Sequence, residues 1–597
     1  MSSFFITGTS NTPYSLADGE YGIIAQNGKL YVSGVDAVTG AGANTLQVDG
    51  GLYALTYDAY DLTGVSADVR VGLDGVISSI TDTALEFTVS VEATVQNAGI
   101  ISAGSRGIDF QSSDTSASLY LNNTGQIVSD GYALYLNSGI GPVNIANAGL
   151  IASTKSTAIL ANDIGYLYVN NTGEIRGGVG NSVILGSYKE NYADRLVNHG
   201  TITGSMHLFG GPDFVNNFGT ITQVVPNSTI LSMGFGHDTV FNGPQGVISG
   251  GINLEDGNDT LTNQGEILGD ISTGGSTDAG SSNIVTNTGR IIGLILGSAG
   301  QDQITNSGVI FGSVQLGAGN DQFYSQNGQV TGAVNGGAGN DVMRGGAGQD
   351  EFYGDTETDV LIGAGNDDIL YAGSGDDYVH GGDGDDSING GAGSDSIGGG
   401  TGNDSIVGDG GNDTIIAFDG HDTVTGNAGS DEISGGAGDD DLNGGNGLDT
   451  IHGGTGNDTI GGGEDADLLT GGDGDDSLRG GGHADTIYGN AGRDLLFGET
   501  GADRLDGGWD DDILTGGSEA DVFVFVIQNG HDVITDFENN LDLIDLTAFG
   551  ASFAVLQSGI TDAGGGALID LTRIGGTGSI FVAGTPSNYL NNNDFIF

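Results

Sequence analysis

GGDGDDSIN, GGAGSDSIG, GGTGNDSIV: residues Gly381–Val407 are one nine-residue phrase written three times. Counting in nines across the surrounding sequence lands on aspartate at every step: Asp377, Asp386, Asp395, Asp404, Asp413, Asp422, Asp431, Asp440, Asp449, Asp458, Asp467, Asp476, Asp485, Asp494, Asp503, Asp512 and Asp521. Two residues past each stands an apolar side chain, from Val379 and Ile388 to Leu514 and Phe523. A disordered acidic linker has no need of that unbroken position. Glycine takes left-handed backbone angles freely, so G-G-x-G reads as a tight turn with its carbonyls turned inward. The three residues after the Asp read as a very short strand with one inward side chain. Two phrases then make one eighteen-residue coil with a turn on each edge, and coils stack about 4.8 Å apart.

Stacking sets each Asp beside the one eighteen residues on, which gives fifteen like-charge pairs over this stretch. At about 5 Å and an effective dielectric near 20, each pair repels by roughly 3 kcal/mol. Together they exceed the roughly 5–15 kcal/mol that holds a domain folded. A hard divalent cation between the turns reverses the sign. Oxygen-only ligands favour Ca²⁺ over zinc, and the chain has no cysteine. The expected cofactor is therefore Ca²⁺, several ions per chain. The expected ligands are the aspartates named above, together with Asp321, Asp341, Asp350, Asp359 and Asp367 upstream. The register reads as slipping by one residue at Asp367 and recovering by Asp377.

Charge and composition narrow the partners. The chain has 597 residues, 116 of them glycine, and a net charge of −65. Between Ala372 and Val524 only Arg479, Arg493 and Arg504 oppose the acids. Such a surface excludes nucleic acid and anionic membrane as partners. No apolar run approaches the roughly 18 residues of a membrane span. The start, MSSFFITGTSNTPYSLADG, has neither the basic residues nor the apolar stretch of a Sec-type signal. An exported chain would carry its signal elsewhere.

A second repeat, N-x-G-x-I, occupies the first half. Its glycines run from Gly99 through Gly125, Gly149, Gly173, Gly200 and Gly219 to Gly328, and two residues after each comes Ile, with Val330 last. Asn usually stands two before the Gly, as at Asn123, Asn147, Asn171, Asn198, Asn217, Asn263, Asn287 and Asn306. Coils of 19–27 residues with β-branched strands are those of a parallel β-helix, with the Ile stacked in the core. The Asn side chains are expected to form an amide ladder. Between residues 194 and 335 these turns gain an upstream Asp, at Asp194, Asp213, Asp259 and Asp302, and G-x-D turns at Asp238 and Asp321. Asn27-Gly28 reads as a hairpin or a coil turn.

The expected fold is all-β: a right-handed parallel β-helix continuing without a linker into a parallel β-roll solenoid, closed by a C-terminal β cap. The expected segments are an N-terminal β cap with first coils over 1–71, β-helix over 72–335, nonapeptide roll over 336–524, and cap with secretion signal over 525–597.

Residues 336–524 resemble the RTX (repeats-in-toxin) calcium β-roll. Residues 522–597 resemble the cap and secretion region of serralysin-type RTX proteins, through DVFVF at Asp521–Phe525, HDVITDFENNLDLIDLTAF from His531, ALIDL at Ala567–Leu571 and SIFVAG from Ser579. The ending Asp594-Phe595-Ile596-Phe597, one acid and three bulky apolar residues, looks like that family's uncleaved type I signal. The resemblance implies export by type I secretion machinery to an extracellular or cell-surface location. It leaves activity open, since the family includes proteases, lipases, epimerases, pore-formers and adhesins. The N-terminal repeats resemble bacterial surface-adhesin β-helices more loosely.

Chemistry is sparse. H-E-x-x-H and G-x-S-x-G are both absent, which weighs against a serralysin protease and an α/β-hydrolase lipase. His237, His421, His483 and His531 sit in turns next to repeat aspartates and read as solvent-facing. The enzyme alternative is a uronate lyase or epimerase on the β-helix, with Lys155, Arg176, Lys189, Tyr192, Asp194 and Arg195 as the candidates. A uniform repeat with no singular polar cluster favours a structural or adhesive surface protein, with a surface polysaccharide or another cell surface as partner.

Overall fold

The structure, a computed structural model, describes every residue except Met1, Asp18, Gly34, Ser113 and residues 179–181, 187–191, 224–227 and 276–278. The chain divides into two compact units: Met1–Phe323 with Asn327–Gly332, and Tyr324–Gln326 with Ala333–Phe597. Each is a parallel β-solenoid in which a strand pairs with its counterpart one coil later.

In the first unit the isoleucine column forms one stack of strands. Ile77 pairs with Ile101, then Ile127, Ile151, Ile175 and Ile202, and onward through Ile291 to Ile310. All of these side chains are fully buried. β-branched residues have a stiff χ1 and pack well at a pleated, enclosed position, so one residue type recurs there. The turn beside this column carries the amide ladder. Asn97 Nδ2 donates to Asn123 Oδ1, and the link repeats through Asn147, Asn171, Asn198, Asn217, Asn242, Asn263 and Asn287 to Asn306, each at 2.7–2.8 Å. Asn242 belongs to the ladder although it stands four residues before Gly246, because Gly243-Pro244-Gln245 widen that turn. A Cβ on Gly125 would collide with the Gly99 carbonyl one coil earlier, so the turn needs glycine for close approach of backbone.

Residues 1–71 are already coils. Tyr21–Ile24 pairs in parallel with Ser2–Ile6 and with Thr45–Val48, while Lys29–Val32 pairs in parallel with Gly51–Ala54 in the other stack. Asn27-Gly28 is therefore a coil turn, not a hairpin.

In the second unit the strands from Glu351–Thr356 to Ile513–Ser518 are six residues long and recur every nine. Ser387–Ala392 pairs with Ser405–Gly410, and Ser396–Thr401 with Thr414–Asp419, each in parallel and eighteen residues apart. The apolar side chain two past each Asp is buried throughout, from Val379 to Phe523. The last coils hand over to irregular structure. Val522–Val524 pairs with Leu543–Asp545, and Gln528–Ile534 with Thr577–Ala583. Ile560–Ala563, Gly566–Asp570 and Thr577–Ala583 then form an antiparallel sheet. The end of the chain is packed into this cap. Phe595–Ile596 pairs with Leu543–Asp545, and buried Asp594 caps a short 3₁₀ turn while accepting from the Asn540 amide at 3.1 Å.

Candidate metal centre

The nonapeptide turn carries two columns of side-chain acceptors, and the two do different things. The Asp at the repeat position faces inward and is buried, 1–3% exposed from Asp377 to Asp512 save Asp503 at 0%. Its Oδ1 accepts the backbone N–H of the Asp one coil earlier. Asp359 N–H donates to Asp377 Oδ1 at 2.7 Å, Asp377 to Asp395 at 2.8 Å, and so on to Asp503 and Asp521 at 2.9 Å. Both edges of the coil carry such a row, since Asp368 N–H donates to Asp386 Oδ1, Asp386 to Asp404, and Asp404 to Asp422, each at 2.8 Å.

The other oxygen is left over. Oδ2 of Asp359, of Asp368 and of every repeat Asp from Asp377 to Asp521 is buried with no hydrogen-bond partner. At most of these positions glycine stands five residues earlier and makes the room. A Cβ on Gly390 would stand 2.5 Å from Asp395 Oδ2 and 3.0 Å from the Gly408 carbonyl oxygen of the next coil. At Gly399 the carbonyl of Ala417 comes as near as 2.8 Å. A carboxylate oxygen and a carbonyl oxygen thus converge beside these glycines, and alanine stands in the same place before Asp377 and Asp422. Oxygen-only donors, with no protein N–H aimed at Oδ2, fit a hard divalent cation. Among the described residues no three His, Cys, Asp or Glu side chains cluster as a metal site would. The remaining donors in these turns are backbone carbonyls.

Where the residue before the repeat Asp has a side-chain acceptor, it makes a second, exposed column that runs the other way. Asp385 N–H donates to Asp367 Oδ1, Asn403 N–H to Asp385 Oδ1, His421 N–H to Asn403 Oδ1 and Asp439 N–H to His421 Nδ1, at 2.7–3.0 Å. This column corrects the sequence reading at Asp367. Asp367 is exposed and belongs to the outer column, while Asp368 is buried in the inner row. The register does not slip, because Asp368 lies nine residues from both Asp359 and Asp377. His421 and His237 also turn out to hold a backbone amide rather than merely to face solvent; Asn258 N–H donates to His237 Nδ1 at 3.0 Å.

The inner row reaches past the repeats. Asp321, Asp341 and Asp350 are buried, and Gly346 N–H donates to Asp350 Oδ2 at 3.0 Å. At the far end Asp512 N–H donates to Asp532 Oδ1 and Asp521 N–H to Asp542 Oδ1, both at 3.1 Å. Asp542 Oδ2 is then satisfied by the Glu538 N–H at 2.7 Å, so the cap closes the row with a hydrogen bond.

Burial dominates the electrostatics. It pushes Asp395, Asp404, Asp467, Asp485, Asp494 and Asp521 up to about 7, while the bonded amide one coil earlier pulls each back. Neighbouring carboxylates add a smaller upward push in the same residues. The repulsion expected between stacked Asp side chains is therefore real but second to desolvation, because a backbone N–H stands between successive carboxylates.

The lyase or epimerase candidates do not form a site of this kind. Lys155 pairs with Asp130 at 2.6 Å and Arg176 with Glu174 at 3.3 Å, both on the surface. Asp194 is buried and takes the Leu167 amide at 2.8 Å. Tyr192 is exposed at 41% and Arg195 opens the strand Arg195–Asn198. Lys189 lies outside the described residues.

The family model of the RTX calcium-binding nonapeptide repeat matches at 333–361, 362–397, 398–433, 425–460, 434–469, 461–496 and 488–523. Residues 333–523 are thus a run of RTX calcium-binding nonapeptide repeats. The RTX repeats bind calcium, several ions to a chain. Among solved structures, the AlgE6R3 subunit of the Azotobacter vinelandii mannuronan C5-epimerase is 26% identical over 22% of this chain and 78% of its own, with a TM-score of 0.18. The extracellular lipase LipA of Serratia marcescens is 18% identical over 34% of this chain and 40% of its own, also at 0.18. No curated protein matches the sequence.

The raised carboxyls set the pH behaviour of the metal-free RTX roll. They hold protons more tightly folded than unfolded, so their stabilising share is complete below about pH 4 and lost as pH rises through about 7. With chelator in excess, circular dichroism of the full chain is expected to gain β signal between pH 8 and pH 5. A flat profile over that range would contradict the burial argument.

Proposed function

We propose that the chain is an exported protein whose RTX roll folds on meeting calcium outside the cell, with the N-terminal β-helix as its structural or adhesive surface. The observation that carries this reading is the row of buried Asp Oδ2 atoms with no protein partner, from Asp377 to Asp521. The proposed ligands are these aspartates with Asp359 and Asp368, each acting beside turn carbonyls; Asp321, Asp341 and Asp350 flank them. In a calcium-poor cytosol the desolvation of so many carboxylates disfavours the roll and leaves the chain threadable for type I export. Outside, calcium replaces the water that the carboxylates lose, and the cap gives the last coil a closed edge.

The partner reading draws on one groove. An outward face of the β-helix forms a groove of about 450 Å³ that includes Gln96, Tyr120, Asn122, Asn144, Tyr168 and Asn170. Tyr120, Asn144 and Tyr168 stand in one register on successive strands, and Ala146 leaves a notch between Asn122 and Asn170. Amides for hydroxyl groups and aromatic faces for sugar rings suit a neutral polysaccharide.

Three outcomes test the proposal. In excess chelator at neutral pH, residues 336–597 should lose β structure by hydrogen exchange, and millimolar Ca²⁺ should restore it while Mg²⁺ does so poorly. Asp449→Ala, which touches the turns of Asp431 and Asp467, should raise the calcium midpoint several-fold without abolishing folding. A chain that is equally protected with and without calcium would sink the ligand assignment.

For export, the deletion of Asp594–Phe597 is a poor probe, since that segment is part of the cap. Ile596→Ser with Phe597→Ser, at two half-buried positions, is expected to cut secretion through a type I exporter while the purified chain keeps its calcium midpoint. Undiminished secretion would remove the C-terminus as the signal.

For the groove, Tyr168→Ala should weaken binding to a neutral glycan array at least tenfold. An array on which wild type and variant are alike would end the saccharide reading.

A further inference from the structure

The turns at Phe209–Asp213, Gly234–Asp238 and Glu255–Asp259 lie well outside the matched repeats and differ from them in sequence, reading FGGPD, GFGHD and EDGND. Their backbone is nevertheless that of the roll's turns. In the roll the residues four and two before the Asp both take left-handed angles, as at Gly400 (φ 130°) and Gly402 (φ 124°) before Asp404. The same pair recurs at Phe209 (73°) and Gly211 (98°), at Gly234 (94°) and Gly236 (147°), and at Glu255 (65°) and Gly257 (153°). Phe209 and Glu255 carry side chains that disfavour this region, and the stack holds them there all the same.

The hydrogen bonds between turns match as well. In the roll, Gly402 N–H donates to the Asp419 carbonyl of the next coil at 2.9 Å. The equivalent bonds run from Gly211 N–H to the Phe235 carbonyl at 2.8 Å and from Gly236 N–H to the Asp256 carbonyl at 3.0 Å. The inner row is present too. Asp194 N–H donates to Asp213 Oδ1 and Asp213 N–H to Asp238 Oδ1, both at 2.7 Å, and Asp238 N–H to Asp259 Oδ1 at 2.8 Å.

What points to a ligand is the remaining oxygen. Asp213 and Asp238 are 0% and 1% exposed, and Oδ2 of each is buried without a hydrogen-bond partner. The same unit supplies the contrast. Asn283 stands where the next Asp would be, and at Asp302 the protein provides the donors itself. Asn283 Nδ2 reaches Asp302 Oδ1 at 2.8 Å, while Thr273 Oγ1 and Ser298 N–H reach Oδ2 at 3.0 and 2.6 Å. A row that satisfies one carboxylate fully with hydrogen bonds leaves two others with an oxygen over.

We infer that the β-helix holds its own Ca²⁺ ions between the turns Phe209–Asp213, Gly234–Asp238 and Glu255–Asp259, bound by Oδ2 of Asp213 and Asp238 with turn carbonyls. This rests on the ligand assignment made for the RTX roll and extends it to turns outside the matched repeats. The closing experiment uses crystals of the full chain soaked in Tb³⁺, which replaces Ca²⁺ at oxygen sites, and reads the anomalous difference map. The expected result is one peak between each successive pair of these three turns and none at Asp302. Asp238→Asn, in contact with both intervals, should lose both peaks and keep those of residues 359–521. Peaks confined to residues 359–521 would overturn the inference and leave the roll assignment standing. A map without peaks in either region would overturn both. The wild-type map decides the matter even if the variant fails to fold.

Discussion

Each repeat aspartate has two oxygens with different fates, and the architecture depends on the difference. One oxygen accepts the backbone amide of the coil before it, at 2.7–3.0 Å along the row. That bond fixes the spacing and register of the coils. The other oxygen is carried into a dry space by the same bond and finds nothing there. An amide–carboxylate bond is favourable, but a buried carboxylate oxygen left unmade is worse than the bond is good. The fold is therefore poised by its own regularity: the contact that builds the stack also strands an oxygen that no hydrogen bond reaches.

The two units solve one problem with different chemistry. A stack of identical coils places identical side chains in columns, and any polar group in the column must be satisfied by its own copy. An amide does this without help, since Asn carries both donor and acceptor; Asn147 gives to Asn171 while taking from Asn123. A carboxylate has acceptors only, so it borrows a backbone N–H for one oxygen and needs a cation for the other. The β-helix uses the amide column along one turn. At Asp213 and Asp238 it carries the carboxylate row as well.

Much of this was readable from spacing alone. Period nine named the inner row, the buried apolar column and the need for a cation. It failed where identity was ambiguous: of the adjacent acids Asp367 and Asp368, only the orientation of the coil says which faces inward, and strict counting from Asp359 would have chosen Asp368. The outer column escaped notice because Asp, Asn, Ser and His share no name, only a side-chain acceptor at the right distance. Asn242 was hidden by residues inserted into its turn. The carboxylates at Asp213 and Asp238 were seen as a motif but not as a row, since their spacings of 19, 25 and 21 residues obey no single period. The cap, which repeats nothing, was recognisable only by likeness.

The opposed directions of the inner and outer columns bear on how such a chain can change length. Every inner bond joins a residue to the one eighteen later by its amide, and every outer bond does so by its side chain. Removing eighteen consecutive residues leaves each donor facing an equivalent acceptor, so the stack rejoins with one coil fewer. Removing nine also restores the motif, yet every repeat downstream then stacks on the edge opposite the one it followed before. Changes of length that keep every repeat on its own edge are thus counted in whole coils.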